Sequence, residues 1–206
     1  MKKVLLLFTI LFVSVMTTAC INNFAIQELN NKAAAYMDKG DTETAICRLK
    51  SSLDLDAEIF QTHYNLAVAY NTIGKYKESV EESKRAIELK PDFVDAIYTL
   101  AVAKEALAYE LIENKTLLVG SEPEMTMDEI AEFNNAAQSA IDSYNEYIVK
   151  KINAKETEQI NNKISELNKK IKELTQIYDT KAIETQNLIK KEIKKQEDAP
   201  IEDKSN

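Results

Sequence analysis

The sequence predicts an all-α chain in which about three helical hairpins stack side by side and one long helix follows them. Three observations predict it. Thirty-four residues separate Ala33 from Ala67, thirty-four more separate Ala67 from Ala101, and Tyr36 and Gly40 return in the same register as Tyr70 and Gly74. Self-similarity at a period of this size marks a stack of small helical units, none of which can bury its apolar face alone. The 206 residues include only three glycines and three prolines, which leaves little chain for loops. From about Lys155 to Lys195 neither occurs, and Ile160, Ile164, Leu167, Ile171, Leu174 and Tyr178 recur at alternating spacings of four and three, the period of a helix with one apolar stripe.

Residues 1–19 read as a secretory signal peptide: Lys2 and Lys3, an apolar run from Val4 to Val15, then Thr17-Thr18-Ala19 ahead of Cys20. The run is about twelve residues, short of the roughly twenty that span a bilayer. A cysteine directly after a small residue at the cleavage point resembles the lipobox of bacterial lipoproteins, although Thr17 stands where that family prefers leucine. The resemblance implies acylation of Cys20, a palmitate-type anchor in the bacterial cell envelope. Plain secretion and an uncleaved anchor are the competing readings. Ile21 is not aspartate, which by analogy with the sorting rule of enteric bacteria points to the outer membrane. The only other cysteine is Cys47, too few for a disulfide scaffold. It reads as a small packing residue, ahead of a reactive thiol or a disulfide partner for Cys20.

Residues 20–152 hold the repeats, with helical periodicity from about Phe24. Around the middle copy the chain reads Tyr64-Asn65-Leu66-Ala67 to Tyr70, then Gly74-Lys75-Tyr76, Ser79, Ala86, Leu89 and Pro91. This resembles the tetratricopeptide repeat (TPR) family at nearly every signature position over 60–93, and less fully over 26–59. The resemblance implies two antiparallel helices per unit. Ala33, Ala67 and Ala101 are the small residues that let helix backbones approach, and Gly40 and Gly74 sit where the first helix must stop and reverse. Ala45 or Ser79 marks the second helix's close contact with the first, while Leu53 and Leu55, or Ile87 and Leu89, face the next unit. Pro91 ends the second unit, and Ala57 takes that place in the first.

The third unit departs from the pattern. Lys104 stands in place of the tyrosine and Ala108 in place of the glycine, so its first helix has no stop signal and is expected to run to about Leu111. A loop of about fifteen residues containing Gly120 and Pro123 should follow. Thr126 and Glu129 have capping-box spacing and should start the partner helix, in which Ala140-Ile141, Tyr144 and Tyr147 repeat the second-helix signature late. An elongated hairpin is the expectation; two unrelated helices over 94–152 are the alternative.

Residues 153–195 are expected to form one helix, some 60 Å long. Its stripe loosens after Tyr178 into Ala182, Leu188, Ile189 and Ile193. It could cap the repeats, as such arrays commonly require, or self-associate as a coiled coil, giving a homo-oligomer. The cap is favoured for the first part and the second part is open. Residues 196–206 are charged, apolar-poor and expected to be disordered.

Composition narrows the function. Lys2 and Lys3 are the only charges before Cys20, so without that segment 34 acids face 24 bases, a net charge near −10. That excludes nucleic acid as a natural partner, because its binding depends on neutralising phosphates. It also disfavours electrostatic adhesion to anionic lipid, which makes a covalent lipid the more necessary anchor.

Chemistry is equally scarce. His63 is the only histidine, so neither a two-histidine metal helix nor a triad with a second imidazole can be built, and it reads as a core or partly exposed ring. No Gly-rich phosphate loop or Cys-x-x-Cys occurs, and no cofactor is expected. Glu122, Glu124, Asp128 and Glu129 lack the alternating ligands and turn glycine of an EF-hand, so no metal is expected either. Asn114-Lys115-Thr116 matches a glycosylation sequon by chance. A chain of this kind is not expected to be an enzyme.

What remains is a groove. In the TPR family set positions of each first helix face the ligand, and the resemblance assigns Asn30, Asn31, Ala34 and Met37 from the first unit. The second contributes Gln61, Tyr64, Asn65, Val68 and Asn71; the third contributes Asp95, Tyr98, Thr99, Val102 and Glu105. Amides can hold the backbone of a bound segment, and tyrosine rings offer rigid contact area. The carboxylate clamp of chaperone-binding members needs cations that Asp95 and Thr99 replace, so an acidic C-terminal tail is not the expected ligand. The implied function is a lipid-anchored envelope adaptor for another protein or peptide; the alternative is a structural envelope protein that self-associates through its C-terminal helix.

Overall fold

The structure, a computed structural model, describes residues 22–116, 125–151 and 154–197. The expected signal peptide, Cys20, the acidic stretch at Glu122 and Glu124, and the chain beyond 197 lie outside the described residues. Among the described residues seven helices follow in order: α1 (22–38), α2 (Thr42–Leu55), α3 (Phe60–Thr72), α4 (Tyr76–Leu89), α5 (Val94–Thr116), α6 (Met127–Lys150) and α7 (Ala154–Glu197). No strand occurs among the described residues. None of the described helices is long and apolar enough to cross a membrane.

The 34-residue spacing of the glycines has a visible cause. Gly40 (φ 77°) and Gly74 (φ 74°) both adopt the left-handed conformation that other residues resist. Around each, the next residue's N–H reaches back to a tyrosine carbonyl, Asp41 to Tyr36 and Lys75 to Tyr70, both at 2.9 Å. This is the Schellman closure, which satisfies the last carbonyls of the helix and turns the chain. Asp41 then starts α2 by accepting the Thr44 N–H at 3.2 Å.

Packing follows the repeat. Ala33, Ala67 and Ala101 are all buried, as are Ala45 and Ser79 on the second helices. The Ser79 hydroxyl donates to the Ala67 carbonyl at 2.8 Å, so even the polar member of the series is bonded at the crossing. Leu49, Leu66, Ala69 and Tyr70 form a core with Tyr36, Met37 and Leu53. Leu53 packs against this core, which includes Leu66, Ala69 and Tyr70 of the next unit, as the sequence predicts, whereas Leu55 is exposed, contrary to the sequence expectation.

The third hairpin is elongated, and more so than expected. With Ala108 buried where a glycine would have ended the helix, α5 continues past Leu111 to Thr116. Ten residues rather than about fifteen then precede Met127. The extra turn of α5 packs: Ile112 joins Met125, Ile130 and Phe133 in the second and larger core. Thr126 and Glu129 form the capping box, with the Thr126 N–H on the Glu129 carboxylate at 2.7 Å and the Glu129 N–H on the Thr126 hydroxyl at 3.3 Å. Lys104, which replaces the tyrosine, donates to Ser143 Oγ at 2.8 Å and the Ser139 carbonyl at 3.3 Å.

The first half of α7 is an intramolecular cap. Ile160, Leu167 and Leu174 are buried in the larger core beside Ala101 and Ala108 of α5 and Phe133, Ala137 and Tyr144 of α6. Asn134 of α6 donates to Thr175 at 3.1 Å, near the end of this contact.

Candidate protein-binding groove

The inner wall is made by α1, α3 and α5, and its floor is tied together by buried polar groups. The Asn30 amide lies within 3.0 Å of Ser52 Oγ and the Ile26 carbonyl and 2.9 Å of Thr62 Oγ1, and its own oxygen accepts from Asn65 at 2.9 Å. Ser52 and Thr62, both buried, share a further bond at 3.1 Å. One node therefore joins α1, α2 and α3. Asn30 spends its donors inside the protein, whereas Asn65 has its carbonyl oxygen left over for a ligand.

Asn65 also borders a hollow of about 260 Å³, lined by Ala33, Ala34, Met37, Asp38, Leu49, Tyr64, Asn65 and Val68. Five of these are residues the sequence assigned to the groove; Ala33, Asp38 and Leu49 are the additions, Asp38 from the last turn of α1. Asn31 and Gln61 are exposed outside this hollow. Asn71 is half-buried, donates only at 3.4 Å to the Thr99 carbonyl, and leaves its oxygen without a partner.

The third unit's part of the wall is arranged differently. Thr99 is buried and donates to the Asp95 carbonyl at 2.9 Å. Val102 packs against the larger core, and the Glu105 carboxylate accepts from the Tyr144 hydroxyl and from Lys163 of α7 at 2.8 Å. Val102 and Glu105 face the protein's own α6 and α7, so the groove is closed over these two, while the Thr99 carbonyl accepts from Asn71 of α3. Tyr98 is partly exposed, its ring 5.2 Å from that of Tyr147.

A second hollow of about 450 Å³ remains where α6 ends and α7 begins, lined by Tyr64, Asp95, Tyr98, Tyr147, Lys151, Glu156, Gln159, Ile160 and Lys163. Its cations are compensated: Lys151 lies 3.5 Å from Asp95 and 3.3 Å from Glu156. Sequence reading missed Lys151, Glu156 and Lys163, because each sits beside the groove only once α7 folds back. Tyr64 lines both hollows and packs edge-on against Phe93 at 4.9 Å. Burial, then the Asp95 charge, raises its phenol pKa, so it stays neutral. Burial and the Glu105 carboxylate likewise hold Tyr144 in its phenol form.

The remaining reactive groups lie elsewhere. His63 is 7% exposed, with Nδ1 2.6 Å from the Glu82 carboxylate and Nε2 3.0 Å from the Ala57 carbonyl. Both neighbours are acceptors, so the doubly protonated ring satisfies the site. Burial opposes that charge, but the Glu82 and Ala57 bonds outweigh it and the pKa is raised. The ring is thus a clasp between α4 and the α2–α3 turn. Cys47 is exposed on α2, not packed as the sequence reading expected. No cluster of three metal-ligating side chains occurs among the described residues.

These features define a stack of TPR-like helical hairpins whose last member is capped by a long C-terminal helix. Residues 60–93 match the family model described as Tetratricopeptide repeat. Among solved structures, the first TPR domain of human RPAP3 is similar with a TM-score of 0.54 at 15% identity, over 73% of this chain and 95% of that one. The second TPR domain of human RPAP3, in complex with an HSP70 peptide, gives 0.53 at 16% identity, over 71% and 98%. The first TPR of Spaghetti (RPAP3), bound to an HSP90 peptide, gives 0.51 at 16% identity, over 70% and 90%. No curated protein sequence matches the chain.

Proposed function

We propose that this protein is an adaptor of the bacterial cell envelope, anchored through lipid on Cys20, which holds a segment of another protein in the groove between α1 and α3. The observation that carries the reading is the open hollow itself, where Ala34, Met37 and Val68 offer an apolar floor beside the free carbonyl of Asn65. A preformed site of this kind lowers the ordering cost of the segment it receives. Similar domains of RPAP3 are bound to HSP70 and HSP90 peptides, which supports a peptide-like ligand. The ligand's charge should differ: Asp38 borders the first hollow and Asp95 the second, which favours a segment with an apolar anchor and a basic neighbour over an acidic tail.

Mechanism here means binding without turnover. Since α1 is already helical at residue 22, anchoring at Cys20 would hold the first hairpin against the bilayer and present the groove beside it.

A photo-crosslinking residue at Met37 or Val68 in the native membrane should trap a discrete protein, and one at the exposed Lys77 on α4 should not. Equal labelling at all three positions, or no reproducible adduct, overturns the adaptor reading. Cys20→Ser should release the protein from membranes; a variant that still fractionates with them overturns the anchor.

A further inference from the structure

The second hollow exists because α7 folds back. Its first turns bring Glu156, Ile160 and Lys163 beside Asp95 and Tyr98 of α5, while Tyr64 of α3 and Tyr147 of α6 supply aromatic walls. One cation of the chain itself already sits there: the Lys151 ammonium lies 5.3 Å over the Tyr147 ring, 3.3 Å from Glu156 and 3.5 Å from Asp95. One lysine thus serves two carboxylates. The other lysine of the lining, Lys163, is taken by Glu105 at 2.8 Å. The charges next along the chain are four of each sign, Lys90, Lys104, Lys150 and Lys155 against Asp92, Glu146, Glu158 and Glu166. His63, the neighbour of Tyr64 in sequence, is matched by Glu82. The hollow is left with one unbalanced negative charge, and Asp95, on the longer contact to Lys151 and 54% exposed, carries it.

We propose that this hollow seats an arginine side chain of the bound segment, its guanidinium forked on Asp95 and stacked against Tyr64 and Tyr98. The inference rests on the groove reading given above and adds to it which side chain the second hollow selects. Three tyrosine rings and a spare carboxylate suit a cation, because the ring faces attract positive charge. A lysine ammonium would match the charge alone, whereas a planar guanidinium also matches the ring faces and grips a carboxylate through two parallel bonds. Lys151 keeps Glu156, its shorter contact. Tyr64 lines both hollows, so the apolar anchor in the first and the arginine in the second belong to one stretch of partner. Neighbouring helix axes lie about 8–10 Å apart, a span of about three residues of extended chain.

Nuclear magnetic resonance titration of the full chain with acetyl-Leu-Ala-Ala-Arg-amide, and with the same peptide carrying citrulline, the uncharged isostere of arginine, tests it. The arginine peptide should bind about tenfold more tightly and move the ring signals of Tyr98. Asp95→Asn should bring the two peptides within about twofold of each other, and Asp38→Asn, at the first hollow, should leave the preference as it was. Lys151→Gln removes the competing cation and should raise the preference about threefold, a gain that a misfolded variant cannot give. Equal binding of both peptides with shifts at Met37 overturns the arginine seat and leaves the groove standing. Equal loss of preference in the Asp95 and Asp38 variants overturns it as a general charge effect, and an unchanged or lower preference in Lys151→Gln overturns it as well. Binding of neither peptide overturns this inference, whereas the groove reading falls only if the crosslinks at Met37 and Val68 also fail.

Discussion

The Lys163 ammonium lies 2.8 Å from the Glu105 carboxylate, joining the C-terminal helix to the inner face of the third hairpin across 58 residues of chain. Glu105 also accepts the hydroxyl of Tyr144, a fully buried ring. The two partners are not equivalent. Glu105→Ala strands the Tyr144 hydroxyl in the core and should cost about 1–3 kcal/mol. Lys163→Ala leaves that bond intact and removes only a partly exposed pair, about 1 kcal/mol or less. Urea unfolding of the two variants checks the order.

Leu167 and Ile183 lie on the same helix but on opposite sides of the boundary set by Leu174. Leu167→Ala opens a cavity at a site with no exposure and should cost about 2–5 kcal/mol. Ile183→Ala, at 59% exposure and off the apolar stripe, should stay within about 0.5 kcal/mol. Thermal melts of both variants measure the contrast.

His63 makes stability depend on pH in a stated direction. Its folded pKa is raised above the ordinary 6.5, so the folded state holds the proton more tightly than the unfolded chain. The clasp to Glu82 is fully present below 6.5 and is lost as pH rises through the raised value. Melting temperature should fall across that window, and His63→Gln should remove this part of the fall. A nuclear magnetic resonance titration of the imidazole gives the folded value directly.

Gly74 has open space around the position a Cβ would take, so its replacement isolates the backbone term. Gly74→Ala should cost about 1–2 kcal/mol through the positive φ alone. Gly40→Ala should do the same, and Gly74→Asn should cost less because asparagine tolerates this conformation. Equilibrium denaturation of the three variants compares them.

The hairpins were legible because their causes are local. A Schellman closure needs glycine at one position, a close helix crossing needs alanine or serine, and a capping box needs Thr126 and Glu129 three apart. Each leaves a mark that one stretch of chain displays. Cys47 was misread for the opposite reason: its residue type favours burial, but which face of α2 meets α1 and α3 is decided by Ala45, Ile46 and Leu49, and Cys47 is left outside.

The sequence by itself determined the helical repeat, the reversal at each glycine, the loss of that reversal at Ala108 and the apolar stripe of the last helix. Only the tertiary structure decided how the groove is shared. Asn30 turns its amide inward to Ser52 and Thr62, while Val102 and Glu105 are covered by α6 and α7, and Lys151 and Lys163 arrive beside Tyr98 from far along the chain. Periodicity states which face of a helix is apolar; what that face meets depends on where a distant segment comes to rest, and that is a property of the packed whole.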